Sequence, residues 1–242
     1  MNGRTIRLYA VADVHIGAKE CDLQGFEKFL ARVQSEVDSY IVLVGDIISN
    51  GLKDSLTNVY EETMPPSAQV EKAVELLEPV KDKILGVVGG NHELRSRKHV
   101  DLDPMHTICV MLGIGHLYRQ NIAFLRVILQ KGNTKTRYAI MLTHGKSRAK
   151  NEKFPAYVEG IDAAIFAHTH TPDVRMPASI RFGTNNKISV HHTVTMTACS
   201  WLKAGGYSLS GLYPPQAVSN PQCLELEFVN SNYRPGNITV IW

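Results

Sequence analysis

Residues 84–93 read Ile-Leu-Gly-Val-Val-Gly-Gly-Asn-His-Glu, an apolar run that passes directly into a polar tetrapeptide. A short apolar run bounded by glycine is typical of a buried strand, which would end where Gly90-Asn91-His92-Glu93 begins. Four further apolar runs end in the same manner in a short polar motif: residues 6–12 before Asp13-Val14-His15, 41–44 before Gly45-Asp46, 138–142 before Thr143-His144-Gly145, and 163–167 before His168-Thr169-His170. Ligands bind at the carboxyl ends of strands in α/β sheets, so we expect the five motifs to converge.

The segments between these runs predict an α/β fold. Apolar residues recur at helical spacing in residues 24–38 and 67–78, and residues 104–112 are a third candidate helix. An alternation of strands and helices favours parallel pairing with right-handed crossovers. The second half of the chain predicts a hairpin around residues 131–134 and further strands at residues 180–182, 187–197, 223–229 and 237–241. We therefore expect one domain over residues 1–242, built from two mixed β-sheets with helices outside.

The composition is that of an ordinary globular protein. Of the 242 residues, 44% are hydrophobic and 20% are charged, and the net charge of +3 is too small to indicate a nucleic-acid or membrane partner by itself. No apolar run approaches the ~20 residues needed to span a bilayer, and residues 6–12 lack the small-residue cleavage site of a signal peptide. The four cysteines are widely spaced with no CxxC pair, which indicates reduced thiols. We expect a cytoplasmic protein with no membrane partner.

The polar motifs share one chemistry. Their carboxylate oxygens, imidazole nitrogens and amide oxygen are ligands for divalent ions such as Mn, Fe and Zn, and the lack of a thiolate argues against a structural zinc site. In an extended chain residues i and i+2 point to the same face, so Asp13 and His15, and likewise His168 and His170, could each reach one metal cluster. Each motif alone is more often a simple turn. All five in this order predict a metal centre.

The five motifs, which span residues 13–170, resemble those of the calcineurin-like metallophosphoesterase superfamily. The resemblance implies a four-layer α/β/β/α sandwich with two divalent metal ions at one edge, Mn being the first choice and Fe, Zn or Ni the alternatives. It also implies that a metal-bridging hydroxide hydrolyses a phosphate ester and that His92 is the catalytic histidine beside the phosphate. Asp46 would bridge both ions, and the other ligands would divide between the two sites: Asp13, His15 and His170 at the first, Asn91, His144 and His168 at the second.

The sequence departs from the family pattern at two places. Ala167 stands where the family usually has glycine, and we expect only a modest local shift there. Serine/threonine protein phosphatases carry Gly-Asp-x-x-Asp-Arg-Gly at the second motif, whereas Ser49 and Asn50 stand here in place of the second Asp and the Arg. The group that would orient His92 is therefore missing, and Asp46 and Glu93 are both candidates to replace it.

Three functions remain open, of which a phosphodiesterase or nuclease-like enzyme is favoured. Asp13-Val14-His15-Ile16-Gly17 is similar to the first motif of the DNA-repair exonuclease branch, although Glu93 stands where Asp is common in that branch. One alternative is a phosphomonoesterase or protein phosphatase, which the missing Asp and Arg make less favoured. The other is a non-catalytic metal-binding scaffold, which the intact ligand set argues against.

Basic residues near the motifs are candidates to bind the substrate. The candidate substrate-binding residues are Arg95, Lys146 and Arg148, on a rim that could take nucleic acid. Solvated surface loops are the alternative. Three aromatic residues could stack on bases, although burial is the expected fate of each: Phe154, Tyr157 and Trp201. The sequence carries no signature of oligomeric state.

Overall fold

The computed structural model describes residues 5–53, 55, 59–182, 187–205, 221–229 and 237–241. Within these ranges the strands are β1 (Thr5–Val11), β2 (Ser39–Val44), β3 (Ile84–Val88), β4 (Tyr118–Arg119), β5 (Ile122–Lys131), β6 (Thr134–Thr143), β7 (Ala163–Phe166), β8 (Asp173–Arg175), β9 (Ala178–Phe182), β10 (Ile188–His192), β11 (Val194–Thr197), β12 (Cys223–Glu227) and β13 (Ile238–Ile241). The α-helices are α1 (Leu23–Ser35), α2 (Pro66–Leu77), α3 (Glu93–Val100), α4 (Pro104–Met111) and α5 (Arg148–Lys153). Short 3-10 turns cover Val59–Glu61, Glu78–Lys83, Gly115–Leu117 and Phe154–Tyr157.

The first sheet has the strand order β13-β12-β1-β2-β3-β4, and the expected parallel pairing of β1, β2 and β3 is confirmed. Helices α1, α2 and α4 cover its outer face. Helix α1 begins after Asp22, whose carboxylate accepts a hydrogen bond from the Gly25 N–H at 3.3 Å and so caps the helix. Phe26, Leu30 and Val33 recur at helical spacing and are buried against the sheet.

The second sheet has the strand order β5-β6-β7-β11-β8. Strands β5 and β6 form the expected hairpin, whose two-residue turn places Gly132 at φ +58°. Strands β6, β7 and β11 run parallel. The inner faces of the two sheets share one apolar core, to which alternate residues of the strands contribute Leu8, Val42, Val44, Ile140 and Ile165.

The outer face of the second sheet carries a smaller apolar cluster, which contains Met141, Ala164 and Phe166. Residues of α5 lie on this side, where they line a small cavity together with Phe166 and Thr195. The order of layers is therefore helices, sheet, sheet, helix, as the four-layer α/β/β/α sandwich requires. The fourth layer is thin because α5 is a short helix.

The strand expected at residues 187–197 is wrong as a single element. It divides at Thr193, whose N–H donates to Pro177 O at 3.1 Å while the Val194 N–H donates to Asp162 O at 2.9 Å. Strand β10 before this point pairs with β9 in a two-stranded sheet, whereas β11 after it enters the second sheet. The sequence alone also missed α3, α5, β4 and β8.

The described helices include none long and apolar enough to cross a bilayer. The four cysteines form no disulfide, and the thiols of Cys109, Cys199 and Cys223 are buried.

Candidate metal centre

The five motifs converge at one edge of the sandwich. Three groups of ligand atoms each lie within 4.8 Å of one another, and the groups overlap: Asp13, His15 and His170; His15, Asp46 and His92; Asp46, His144 and His168. Each side chain follows a strand, namely β1, β2, β3, β6 or β7, so the carboxyl ends of strands from both sheets build the site. All of the expected ligands and His92 are thus brought together.

The first group surrounds a fully buried carboxylate. Asp13 Oδ1 lies 3.3 Å from His170 Nε2 and 3.9 Å from His15 Nε2. The two Nε2 atoms lie 3.3 Å from each other. Three potential ligand atoms therefore face a common point.

The second group is built around Asp46. Asp46 Oδ2 lies 3.2 Å from His144 Nε2, and Asn91 Oδ1 lies 3.0 Å from His144 Nε2 and 2.6 Å from His168 Nδ1. His144 Nδ1 donates to the carbonyl of Val44 at 2.7 Å, which turns Nε2 toward the centre. Asp46 contributes to two of the three groups, which is the position expected of a bridging carboxylate.

The donor set fits divalent metal ions. Asp13 Oδ1 is fully buried and accepts no hydrogen bond, an arrangement that is costly unless a cation is bound there. Two carboxylates, four imidazoles and an amide oxygen match the preferences of Mn, Fe, Zn or Ni.

The backbone at the ligands differs from the expected extended conformation. The following five candidate ligands have positive φ angles between 49° and 74°: Asp13, His15, Asp46, His168 and His170. The i, i+2 argument is therefore wrong in its geometry, although the pairs do reach common groups. Left-handed conformations cost about 1 kcal/mol or more for residues with a Cβ, and such strain gathers at functional sites. Glycine at position 90 permits the close approach of this segment to Asp46, because a Cβ there would lie 2.1 Å from Asp46 Oδ1.

Glu93 anchors the loop that carries Asp46. Its two carboxylate oxygens accept four backbone hydrogen bonds of 2.7–3.2 Å, from the N–H groups of Asp46, Ile47, Ile48 and Gly90. Burial, reinforced by the nearby Asp46 carboxylate, raises the pKa of Glu93 to about 7. The fourth residue of the Gly-Asn-His-Glu tetrapeptide therefore holds the backbone that carries the candidate ligand Asp46.

The group that orients His92 is the backbone carbonyl of Ser49, which accepts from His92 Nδ1 at 2.6 Å. Neither candidate from the sequence holds the ring, since Asp46 Oδ2 lies 3.8 Å from His92 Nε2 and Glu93 bonds to backbone. Arg95 Nη2 donates to His92 Nε2 at 2.9 Å. His92 lies in helical conformation at the start of α3.

When no ion is bound, the charges within the cluster favour an ionised Asp46 carboxylate beside a protonated His144 ring. Although burial opposes its charge, His144 has its pKa raised to about 10 by the carboxylates of Asp46 and Asp13. Burial would raise the pKa of Asp46, but the neighbouring His144 and His92 hold it well below its usual range. Burial lowers the pKa of His92, and the Arg95 charge adds to the lowering against the opposing Asp46. The Ser49 carbonyl at Nδ1 and the Arg95 donor at Nε2 together fit a His92 ring that carries its proton on Nδ1.

The candidate substrate residues separate into two groups. Arg95 lies at the centre, where it contacts His92. Lys146 and Arg148 lie outside the ligand groups and are exposed, and Arg148 pairs with Glu152 at 2.9 Å. Of the aromatic residues, Trp201 is buried as expected at 2% exposure, whereas Tyr157 is 79% exposed.

Sequence reasoning missed the functions of Glu93 and of the Ser49 carbonyl. The Gly-Asn-His-Glu tetrapeptide itself indicated this function of Glu93. A carboxylate that is buried beside a candidate metal ligand has to bind the metal ion or accept hydrogen bonds. No residue-type signal exists for a backbone carbonyl.

A family model and a solved structure are similar to this chain. The model, described as calcineurin-like phosphoesterase, matches residues 6–172. The solution NMR structure of the Thermotoga maritima protein TM1076 shares 14% sequence identity, with 98% of this chain and 97% of that chain covered and a TM-score of 0.38. The curated proteins include no match. The family match spans all five polar motifs.

Proposed function

Because the chain belongs to the calcineurin-like phosphoesterase family, whose members are metal-dependent phosphoester hydrolases, we propose that it is a dinuclear phosphodiesterase. The observation that carries the proposal is the convergence of seven ligand side chains beside the His92–Arg95 pair. The seven side chains exceed the four positions of a tetrahedral ion and the six of an octahedral one.

Each ion has a defined set of protein ligands in this proposal. Asp46 would contribute to both ions, the first of which would be held by Asp13, His15 and His170 and the second by Asn91, His144 and His168. When bound, the ions supply Lewis-acid chemistry, activating the attacking water and neutralising the phosphate oxygens. Manganese is the ion that we propose, because carboxylate and amide oxygens suit it, and Fe, Zn or Ni are the alternatives that the imidazoles suit.

His92 and Arg95 act on the phosphate and the leaving group. The Ser49 carbonyl fixes the His92 ring through Nδ1, so Nε2 faces the position where a scissile phosphate would lie. In this structure Arg95 donates to Nε2. A phosphate oxygen would instead accept from Arg95, which would free Nε2 to take up a proton from water, and His92 could then pass that proton to the leaving oxygen.

A diester is favoured over a monoester by the charge around His92. A phosphodiester carries one negative charge, whereas a monoester approaches two at neutral pH. In the described part of the chain, Arg95 is the guanidinium that contacts His92, and the Arg148 guanidinium is already paired with Glu152. The single positive charge of the Arg95 guanidinium matches the one negative charge of a diester better than the two of a monoester.

The test compares bis(p-nitrophenyl) phosphate with p-nitrophenyl phosphate after loading with Mn. We expect about two ions per chain by elemental analysis and a kcat/KM at least about tenfold higher for the diester. A preference for the monoester would support the phosphomonoesterase or protein phosphatase alternative. Two bound ions without turnover of either ester would instead support the scaffold.

A further inference from the structure

Two consecutive residues of the loop after β2, Ser49 and Asn50, bind His92 at its two ends. The Ser49 carbonyl accepts from the ring Nδ1 at 2.6 Å, and Asn50 Nδ2 donates to the main-chain carbonyl of His92 at 2.6 Å. One bond fixes the direction of the ring, and the other fixes the backbone from which the ring projects. The ring and its backbone should therefore move only together with this dipeptide.

The Asn50 side chain is fully buried, and both of its polar atoms have partners. Its Oδ1 accepts a hydrogen bond from the Ser96 hydroxyl at 3.0 Å. Since a carbonyl oxygen only accepts, the atom of Asn50 that faces the His92 carbonyl has to be the amide nitrogen. The amide thus joins the loop after β2 both to His92 and to the first turn of α3.

The main chain of Asn50 is also held in an uncommon conformation. Its φ is +46°, in the left-handed region that asparagine adopts more readily than most residues. Its N–H donates to Oε1 of Gln69 at 2.8 Å, and Nε2 of this fully buried glutamine donates to Glu62 at 2.9 Å. Gln69 belongs to α2. Helix α2 therefore supports the dipeptide that orients His92.

Small errors in the position of His92 should be costly for proton transfer. A general acid has to lie within about 2.6–3.2 Å of the atom that it protonates, and a displacement of ~1 Å can lower a rate about 10²-fold. The Ser49 carbonyl sets the direction of the ring but leaves the His92 backbone without a tether. The Asn50 amide supplies that tether.

We propose that Asn50 is a positioning residue for the general-acid step, holding the His92 backbone so that Nε2 meets the leaving oxygen. This inference rests on the role that the proposed function gives to His92. The Asn50 side chain is bonded to His92 and Ser96, so its removal should act on the reaction through His92.

The test is a double-mutant cycle in the Mn-loaded full chain, with diesters of two leaving groups. Asn50→Gly is the first variant, because glycine adopts a positive φ freely and only the side-chain bonds are lost. With two ions still bound and KM unchanged, kcat for a leaving group of high pKa should fall about 10–100-fold. In the His92→Ala background the same substitution should cost less than about twofold, because no general acid is left to position.

The matched control is Thr136→Ala, which removes a different buried hydrogen bond to a main-chain carbonyl. Thr136 is fully buried and its hydroxyl donates to the Val229 carbonyl at 2.7 Å. It lies near the start of β6, whereas His144 follows the end of that strand. Both Asn50→Gly and Thr136→Ala should lower the midpoint of thermal unfolding, but only Asn50→Gly should lower kcat.

A second measurement observes the His92 ring without turnover. In the Zn-loaded chain, which is diamagnetic, long-range ¹H–¹⁵N spectra should show His92 with its proton on Nδ1. The signal is identified by its absence in His92→Ala. Asn50→Gly should shift it toward a mixture of the two tautomers, because the ring is no longer held against the Ser49 carbonyl.

The inference is wrong if the His92 signal is unchanged in Asn50→Gly, or if Asn50→Gly lowers kcat equally in both backgrounds. Should Asn50→Gly not fold, Ser96→Ala removes one support of the Asn50 amide, and its smaller loss should again vanish in His92→Ala. A wild type that hydrolyses neither ester would refute the proposed function, while the ring signal would still decide whether Asn50 positions His92.

Discussion

The two sheets contribute unequal halves to the metal centre. The loops after β1 and β2 are joined by backbone hydrogen bonds, such as His15 N–H to Asp46 O at 3.1 Å and Ser49 N–H to Ile16 O at 2.9 Å. The ligands after β7, by contrast, lie in one partly exposed loop. The first sheet therefore fixes the positions of the ligands, and the second sheet forms the more open side of the centre. Substitutions on the first side should lose metal or chemistry, whereas substitutions of the exposed basic residues outside the ligand groups on the second side should affect only substrate contacts.

The largest effect is expected at Asp46. Asp46→Asn replaces the proposed bridging carboxylate with a neutral amide, so the variant should lose both metal and activity. Metal content and hydrolysis of a chromogenic ester are measured together. Asp101→Asn is the matched control, because Asp101 is an exposed aspartate that also has a positive φ, of 53°. If Asp46→Asn kept two ions and full turnover, the proposed bridging role of Asp46 would be wrong.

His92→Ala should keep both ions while the catalytic rate falls about 10²–10⁴-fold for a leaving group of high pKa. Nitrophenolate needs little protonation, so its loss should be smaller. Elemental analysis accompanies the rates for both leaving groups. The exposed His99, on the same helix, supplies the control His99→Ala. Loss of an ion in His92→Ala would make His92 a ligand, and equal losses for both leaving groups would reject the general-acid role.

Arg95→Ala should lower kcat/KM by about 10–100-fold, because a charge-assisted contact to the phosphate is removed. Metal content should not change. Arg95→Lys keeps the positive charge but lacks the forked donors of a guanidinium. Its kcat/KM should therefore lie between those of Arg95→Ala and the wild type. Arg97→Ala tests the neighbouring arginine of α3, which pairs with Asp103 at 3.6 Å. A similar loss in Arg97→Ala would point to a disturbed helix instead of a phosphate contact.

The smallest effect is expected on the second side. Replacing Lys146, Arg148 and Lys150 with Ala should change hydrolysis of a small ester by less than about twofold, since none of them belongs to the ligand groups. If nucleic acid binds, its affinity should fall and its salt dependence should flatten. Arg148 should contribute little, because Glu152 already neutralises it. Unchanged oligonucleotide binding would remove this rim as a nucleic-acid site.

The sequence predicted the parts of the site that depend on local pattern. The apolar runs before the five motifs are strands, and the run at residues 84–88 has the bounds of β3. These runs were recognisable because a buried strand needs apolar side chains on both faces. The convergence of the motifs followed from sheet geometry alone.

The rest depends on tertiary contacts without a sequence signature. The hydrogen bond that orients His92 comes from a backbone carbonyl, which every residue type carries. Helix α3 was missed because the segment from Glu93 is almost entirely polar and shows no apolar face. The division at Thr193 depends on where Pro177 and Asp162 lie in space.

The position of β12 in the first sheet has a consequence for synthesis of the chain. Strand β12 pairs along one edge of β1, with Thr5 opposite Glu227. All seven proposed ligands leave the ribosome before β12 does, yet β1 keeps an open edge throughout that interval. Contacts between such distant residues form slowly, and an unpaired strand edge invites association with other chains. During synthesis, the edge of β1, in the strand that leads to the first candidate metal ligand, is therefore open to association with other chains.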